Sequence, residues 1–269
     1  MRGKRKRGDV NEFGGRVADN LSQLYDELVF GRYIHGFYDE YTICDPKKRI
    51  IHKASVRDRI VHRLLYNALY HYFDSRFIFD SYSCRRGKGT HKARSRFRKF
   101  SSWVSKNYTN QCYVLKFDIK KCFASIDTGI LKLILMNHIA DGKLATLTKS
   151  ILDSFTPGLP LGNLTSQLFV NIYLHELDMY VKNELGIKFY IRYADDVVIV
   201  SDSQQELDKM MVKIDDFLKD TLLLQAHKIE IKSIFTGVDV VGEVFFPQYQ
   251  ILRRSTMKRL IKKSFKKDY

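Results

Sequence analysis

Residues 190–201 read YIRYADDVVIVS and place two adjacent carboxylates, Asp195 and Asp196, between two apolar runs rich in β-branched residues. These runs predict the two strands of a β-hairpin that carries the acidic pair at its turn. A buried charge is costly unless it is paired or bound to a metal ion, and adjacent carboxylates also repel each other. The hairpin therefore indicates a cation-binding site, although acidic turns are common and the pair alone is weak evidence.

A third carboxylate belongs to another predicted strand. Residues 112–119 read CYVLKFDI and contain Asp118 next to their last position. A sheet edge that gathers Asp118, Asp195 and Asp196 would bind two divalent cations. Mg²⁺ prefers carboxylates and substrate phosphates, and it requires neither His nor Cys. Two such ions, about 3.5–4 Å apart, can activate an attacking 3′-oxygen and stabilise a leaving pyrophosphate. The three carboxylates thus predict a site for nucleotidyl transfer.

The charge of the chain favours a polyanionic partner. Lys and Arg number 46 against 30 Asp and Glu, and the pI is about 9.6. The excess is concentrated in residues 1–8, 85–99 and 253–267, with aromatic residues interleaved. Three such clusters predict nucleic-acid binding, although each one alone could be a solvated basic face. A membrane surface would favour one basic amphipathic helix with an apolar stripe, which only the C-terminal cluster could form.

Other classes of protein fit the sequence poorly. No run reaches the roughly 20 apolar residues of a membrane span, and the N-terminal MRGKRKRG lacks the apolar segment of a secretory signal. The four cysteines form no CxxC pair and no zinc-like spacing, which predicts reduced thiols in an intracellular protein. Apolar residues make up 45% of the chain, so we expect a folded globular protein.

Hydrophobic periodicity predicts an α+β chain. Apolar residues at helical spacing predict helices in residues 14–30, 56–74, 90–106, 127–140, 164–184 and 204–220. Asp127 or Thr128 would cap the fourth of these helices. Strands are predicted in residues 37–52 as two short strands joined by a basic turn, in residues 112–119, in the acidic hairpin and in residues 234–246. Residues 158–162 are predicted to form a loop.

The order of these motifs resembles that of a reverse transcriptase over roughly residues 10–250. FDIKKCFASID is similar to the first catalytic motif of the palm, YADD to the second, and GLPLGNLTSQ to the loop and helix between them. The sequence GNLTSQ, with RRGKGTHKA and DPKKRIIHKASVRDRIVH upstream, looks most like the corresponding motifs in the enzymes of diversity-generating retroelements. Group II intron and retron enzymes more often carry PQG in the loop, where this chain has Leu161.

The resemblance implies a right-hand polymerase fold. We expect an N-terminal extension and helical/β fingers in residues 1–110. The palm, an antiparallel sheet with helices, would cover residues 111–250, with part of the fingers at 128–165. Residues 251–269 would be a basic C-terminal segment, an abbreviated or truncated thumb, or a thumb completed by another subunit.

The resemblance also implies roles for individual residues. Asp118 and Asp195 would be the principal metal ligands, with Asp196 the more peripheral third carboxylate, and the cofactor would be two Mg²⁺ ions, for which Mn²⁺ can substitute. Phe123 would clash with a ribonucleotide 2′-hydroxyl, or it could simply belong to the core. The residues expected to contact the deoxynucleotide are Lys47, Arg49, Arg57, Phe123, Gly162, Gln167 and Lys228. Lys228 is the candidate proton donor to pyrophosphate, although His227 or Lys232 could fill that role.

A second implied set contacts the template and primer. It comprises Arg85, Arg86, Lys88, His91, Arg94, Asn163, Ser166, Gly242, Arg253 and Arg254, with Gly242 in the hairpin that supports the primer. The partners would be template RNA, a DNA primer or RNA–DNA hybrid, deoxynucleotides and a small basic accessory protein or other subunit, with no membrane. The place of action would be the cytoplasm of a bacterial or phage-infected cell.

The expected function is RNA-directed DNA synthesis for a diversity-generating retroelement. Two alternatives stay open at this point. One is a retron-type or antiviral-defence reverse transcriptase, and the other is a catalytically silent RNA-binding scaffold that keeps the fold alone.

Overall fold

The structure, a computed structural model, describes residues 7–44 and 48–264, and the side chains up to residue 261. The chain forms two compact units. The first comprises Met1–Phe77 and Lys121–Leu174, and the second comprises Ile78–Lys120 and His175–Tyr269. Both combine helices with antiparallel strands, so the expected α+β class is confirmed.

Ten α-helices are found in the described residues. They are α1 (Gly8–Gly15), α2 (Val17–Val29), α3 (Val56–Asp74), α4 (Thr90–Val104), α5 (Cys122–Ser125), α6 (Thr128–Met136), α7 (Gly142–Asp153), α8 (Leu164–Met179), α9 (Gln204–Asp220) and α10 (Arg254–Ser264). The Asp127 carboxylate caps α6 by accepting from the Ile130 amide at 2.8 Å, as expected from its place before the helix. No helix in the described part of the chain is long and apolar enough to cross a membrane.

The strands form three antiparallel sheets. They are β1 (Asp39–Ile43), β2 (Arg49–Lys53), β3 (Tyr113–Ile119), β4 (Tyr190–Tyr193), β5 (Asp196–Ser201), β6 (Ala226–Ser233), β7 (Val238–Val240), β8 (Glu243–Phe245) and β9 (Gln250–Leu252). The first unit holds the pair β1–β2, and the second holds a sheet of order β4-β5-β3-β6 and a sheet of order β7-β8-β9.

The structure corrects the expected elements at three places. The helix expected at residues 14–30 begins later, as α2 at Val17, and Gly14 and Gly15 end a separate helix, α1, because Arg16 leaves helical geometry with φ −129° and ψ 45°. Helix α7 was not predicted. Residues 234–236 form a 3₁₀ turn rather than a strand, and strand β6 precedes it. The pattern of β6 did not predict a strand because this edge strand is exposed on both faces over most of its length.

The four cysteines, Cys44, Cys84, Cys112 and Cys122, are all free in the structure. This agrees with the absence of any paired spacing in the sequence. Cys112 is fully buried at the start of the sheet, and burial raises the pKa of its thiol to about 12. A thiol in that environment stays protonated and packs as a small apolar side chain.

Helix α3 forms the core of the first unit. Its buried face includes Val61, Leu65, Leu69 and Phe73 at helical spacing. One member of the same face is polar: His62 is 2% exposed. The His62 Nδ1 lies 2.6 Å from the Thr165 hydroxyl oxygen, and its Nε2 lies 3.0 Å from the His35 Nε2. This network satisfies the ring in its neutral form.

Burial of His62 predicts a loss of stability in acid. Burial, together with a smaller effect of His35 and against the opposing effect of Asp58, lowers the pKa of the ring to about 4. Between about pH 4 and 6.5 the unfolded ring, with a pKa near 6.5, binds a proton and the folded ring does not. The stability that the neutral His62 contributes is therefore fully present above pH 6.5 and is lost as the pH falls through 4. At pH 4.5 the loss is about 2–3 kcal/mol.

The measurement is the free energy of urea unfolding at pH 7.5 and 4.5 for wild type and His62→Asn. The wild type is expected to lose more stability than the variant by that amount. An equal loss in both proteins would contradict the assignment to His62.

Candidate active site

The register of the four-stranded sheet brings two of the predicted carboxylates together. Strands β3 and β5 pair antiparallel, with Tyr113 opposite Ser201 and Phe117 opposite Val197. The paired residues end there, and Asp118 and Asp196 come next along the two strands. The Asp118 carboxylate contributes to the raised pKa of Asp196. Asp118 and Asp196 are therefore neighbours on the second unit.

The third carboxylate lies in the turn beside them. Strands β4 and β5 form the expected hairpin, with Tyr193 opposite Asp196, so that Ala194 and Asp195 are its two turn residues. Ala194 has a φ of +55°, in the left-handed region. Such turns suit the twist of two-stranded hairpins. The sheet edge thus gathers Asp118, Asp195 and Asp196.

A buried ion pair fixes this turn from beneath. Arg192 and Asp178 are both fully buried, and the guanidinium donates to both carboxylate oxygens at 2.8 and 2.7 Å. The Tyr190 hydroxyl also donates to Asp178, at 2.7 Å. The remaining amino group of Arg192 donates to the Ala194 carbonyl at 3.1 Å. Arg192 therefore links a helix residue, Asp178, to the turn that carries Asp195.

Sequence reasoning missed Arg192 and Asp178. The available signal was a charged residue inside an apolar strand, YIRY, and an acid in the apolar helix segment LHELD. A charge at a buried position requires a partner, but the sequence did not show which acid supplied it.

A backbone irregularity directs Lys228 toward Asp118. In the pairing of β3 with β6, Lys116 lies opposite Glu230 but Asp118 lies opposite His227. Two residues, Lys228 and Ile229, thus face the single residue between them on β3, which makes a β-bulge, and Lys228 has a φ of +52°. Bulges redirect side chains beside active sites. The Lys228 ammonium donates to Asp118 Oδ2 at 2.9 Å, and this contact raises the pKa of the lysine.

The electrostatics of the edge suit a divalent cation. Burial raises the pKa of the Asp196 carboxyl; Lys116 opposes that effect, while the neighbouring carboxylates of Asp195 and Asp118 add to it. Asp118 Oδ1 is buried and has no hydrogen-bond partner among the described residues. Within the same residues, no three His, Cys, Asp or Glu side chains already converge as a ready-made metal site. The unpartnered oxygen and mutually repelling acids nonetheless fit a cation, which oxygen ligands would hold.

The first unit brings the basic strand and the glycine loop together. The His52 amide donates to the Leu161 carbonyl at 2.9 Å, and the Asn163 side-chain amide donates to the His52 carbonyl at 3.0 Å. Gly162 has a φ of +116°, and a Cβ there would lie 2.7 Å from Ile51 Cγ2. Only glycine allows this close approach. Arg49, at the start of β2, belongs to the same strand.

Phe123 is held by a second contact of the same loop. Its carbonyl accepts from the Leu159 amide at 2.7 Å. A Cβ on Gly158, whose φ is +75°, would lie 2.4 Å from that carbonyl oxygen. The backbone of the loop therefore packs directly against residue 123, whose side chain is half-buried.

The other expected nucleotide contacts differ in their surroundings. Arg57 pairs with Glu27 and donates to the Ile34 carbonyl at 3.1 Å. Ser166 is buried, and Gln167 is exposed. Lys47 lies outside the described residues.

The expected template and primer residues of the second unit also vary in their contacts. Arg85 donates to the carbonyls of Ile78 and Ser81, and the Lys88 ammonium to that of Phe79 at 2.7 Å. Gly242 lies in the turn between β7 and β8. Arg94 donates to the Val241 carbonyl and the Glu243 carboxylate, and Arg253 pairs with Asp239. The remaining three, Arg86, His91 and Arg254, are exposed.

Comparison with known proteins identifies the class of this fold and site. Solved telomerases share the fold: telomerase from Candida tropicalis in complex with the TWJ fragment of telomeric RNA superposes with a TM-score of 0.62 at 12% identity, over 87% of this chain and 48% of that one. Telomerase from Candida albicans in the same type of complex gives a TM-score of 0.59 at 12% identity, over 88% and 49%. The polymerase fold expected from the motifs is therefore confirmed.

The family model for reverse transcriptase (RNA-dependent DNA polymerase) matches residues 45–256. The chain belongs to the reverse transcriptase family.

Curated relatives agree with this membership. An uncharacterised 91 kDa protein in the cob intron of Schizosaccharomyces pombe is 26% identical over 199 residues, covering 70% of this chain and 23% of the relative. A putative COX1/OXI3 intron 2 protein of Saccharomyces cerevisiae is 21% identical over 277 residues, covering 77% and 30%. The chain thus spans less than a third of these relatives, and about half of the telomerase chains.

Proposed function

We propose that the protein is an RNA-directed DNA polymerase that makes complementary DNA from a template RNA. The observation that carries the proposal is the closeness of Asp118 and Asp195 to Asp196, where the paired strands β3 and β5 end beside the hairpin turn. Membership of the reverse transcriptase family supports it. The basic excess of the chain, 46 cations against 30 acids, suits a polymer of phosphates.

In the proposed reaction, Asp118 and Asp195 would hold Mg²⁺, or Mn²⁺ in its place, with Asp196 as the more peripheral ligand. When bound, the metal would stabilise the charge on the attacking and leaving oxygens. Lys228, 2.9 Å from Asp118 Oδ2, supplies a proton donor for the leaving pyrophosphate. Lys47, Arg49 and Arg57 bind the triphosphate, for which arginine offers a bidentate contact. Positioning of the primer and nucleotide supplies much of the rate.

The test is primer extension on a defined RNA template with the four deoxynucleotides, in Mg²⁺ and in excess chelator. Extension that requires the template and the metal supports the proposal. Binding of the RNA without extension, under every metal and with co-expressed neighbouring gene products, would overturn it in favour of an RNA-binding scaffold.

We propose further that the enzyme serves a diversity-generating retroelement, with a small basic accessory protein in the cytoplasm of a bacterial or phage-infected cell. The loop sequence GNLTSQ and the preceding Leu161 support a diversity-generating retroelement, whereas the intron proteins among the relatives favour an intron-encoded enzyme. The observation that separates them is the gene neighbourhood. A diversity-generating element requires adjacent near-duplicate repeats, and an intron-encoded enzyme requires flanking intron sequence instead.

Phe123 is proposed to exclude ribonucleotides. Replacing Phe123 with Ala removes the bulk that would oppose a 2′-hydroxyl, so we expect the preference for deoxynucleotides to fall roughly tenfold or more. The measurement is the ratio of kcat/KM for a deoxynucleotide and its ribonucleotide in single-nucleotide extension. Phe123→Tyr keeps the bulk and serves as control. An unchanged ratio in Phe123→Ala would show that Phe123 belongs only to the core.

A further inference from the structure

A concave surface of the second unit lies between helix α4 and the strands β8 and β9. This surface, the α4 groove, has a volume of about 460 Å³. The residues that carry the argument below are Ser95, Arg98, Lys99, Ser102, Trp103 and Gln250, all part of its lining. Two other lining residues, His91 and Arg94, belong to the set expected to contact the template. The groove is large enough for a nucleotide-sized ligand.

The groove is positively charged. Arg94 and Glu243 both line it, but the Arg94 guanidinium donates to the Glu243 carboxylate at 2.6 Å, so the two charges offset each other. Arg98 and Lys99 are exposed and pair with no carboxylate among the described residues. The Arg98 guanidinium is directed into the groove, because it donates to the Gln250 side-chain oxygen at 2.6 Å. Two exposed cations whose charges no carboxylate in the described part of the chain offsets attract phosphates.

An exposed aromatic ring, that of Trp103, lines the groove together with these two cations. Trp103 is 56% exposed although it is the largest type of side chain, and it follows Lys99 by one helical turn, so both lie on the same side of α4. Its ring makes a tilted contact with Phe100, at 5.9 Å between centroids, and the Arg96 guanidinium carbon lies 5.7 Å from the centroid of the indole. A largely exposed aromatic ring beside cations is the arrangement on which unpaired bases stack.

The polar groups of the groove suit RNA in particular. Ser95, Ser102 and the Gln250 amide line the same surface. The Ser102 hydroxyl donates to Asn107 and the Gln250 oxygen accepts from Arg98, so the Ser102 oxygen can still accept and the Gln250 amino group can still donate. A ribose 2′-hydroxyl, the group that distinguishes RNA from DNA, can be the partner of both.

The sheet register separates the groove from the candidate active site. Trp103 also lines a cavity with Ile199 and Ser201 of β5, and Ser201 pairs with Tyr113 at the first residue of β3. Asp118 lies five residues further along the same strand, which is about 17 Å. A base stacked on Trp103 is therefore not the base being copied.

We propose that the α4 groove binds a single-stranded segment of RNA outside the catalytic centre, with one base stacked on Trp103 and its phosphates against Arg98 and Lys99. Binding of the single strand rests on the groove alone, and a protein without polymerase activity could still show it. That this site holds an unpaired part of the RNA while another part is copied rests on the proposed function.

The test uses the intrinsic fluorescence of Trp103, the only tryptophan of the chain. The probe is a 12-residue oligouridylate, added to the full chain in chelator without nucleotides. We expect saturable quenching, because a stacked base contacts the indole directly. Replacing Arg98 and Lys99 together with Ala should weaken the quenching-derived Kd about tenfold and lower the slope of log Kd against log salt by about 1.4, since each single-strand phosphate contact contributes about 0.7.

The matched control replaces Lys209 and Lys213 with Ala, which removes the same charge from the exposed face of α9. This control should leave the quenching curve nearly unchanged. A second readout, anisotropy of a labelled oligouridylate, should show weaker binding to Trp103→Ala than to Trp103→Phe.

Three results would overturn the proposal. They are absence of quenching at RNA concentrations that saturate anisotropy, equal weakening by the α9 control, and equal affinity for the corresponding oligodeoxyuridylate. The last would assign the groove to single strands of either kind rather than to RNA. Because none of these measurements uses extension, they distinguish this failure from that of the proposed polymerase.

Discussion

Replacing Asp195 with Asn is expected to reduce primer extension about 10³-fold, while RNA affinity changes little. Asp195 is a turn residue of the β4–β5 hairpin, beside Asp196 and Asp118. A metal ion at such a site supplies several kcal/mol of transition-state stabilisation, and each 1.36 kcal/mol corresponds to a factor of ten in rate. The amide keeps the shape of the carboxylate but not its charge, so the metal ligand is weakened and the hairpin is retained.

RNA affinity should persist because the carboxylate repels phosphates rather than binding them. The measurements are single-turnover extension and RNA binding by anisotropy, both for wild type and Asp195→Asn. Asp202→Asn is the matched control, because Asp202 is an exposed acid just after the other end of β5. Equal loss of extension and of RNA binding in Asp195→Asn would contradict the assignment.

The second large effect is expected at the buried pair Arg192–Asp178. Replacing Arg192 with Met leaves the Asp178 carboxylate buried without its partner, which costs about 3–5 kcal/mol. For a chain of this size we expect the Tm to fall by about 10 °C. The same replacement removes the donor to the Ala194 carbonyl, so extension should also fall at temperatures where the variant is folded.

A double variant separates the two effects. Replacing Asp178 with Leu together with Arg192→Met exchanges the ion pair for apolar side chains, and such exchanges are often neutral in stability. The double variant should therefore recover most of the Tm but not the extension rate. Lys213→Met, an exposed cation on α9, controls for loss of charge. If the Tm of Arg192→Met equals that of this control, the Arg192–Asp178 pair does not stabilise the fold.

The motifs of the sequence predicted the class of fold and the three carboxylates because their signals are local. The two apolar runs of YIRYADDVVIVS, separated by the acidic pair, predict a hairpin whatever surrounds it, and strands β4 and β5 lie within a residue of the predicted runs. Helix α3 also begins and ends where its periodicity predicts, and Ser55 caps it. The individual roles assigned to the site residues stay predictions.

Features that depend on distant pairing could not be predicted. The exposed strand β6 pairs with β3 and carries a bulge at Lys228, and only Ile229 and Ile231 alternate in its otherwise mostly polar sequence, which is too short a pattern to indicate a strand. The choice of Asp178 as partner for Arg192 depends on the packing of the helix segment that carries Asp178 beneath the hairpin. Gly158 and Gly162 require glycine because of backbone and side chains far along the chain.

The sequence by itself determined which residues could do the chemistry, since carboxylates, cations and glycines are recognised by type and spacing. Only the tertiary structure decided which of them meet: Asp118 with Asp196 through the register of β3 and β5, Lys228 with Asp118 through a bulge, and Trp103 with two cations through the face of one helix. The physical reason is that local periodicity follows from backbone geometry, whereas register and ion pairing follow from burial against residues that are remote in the chain.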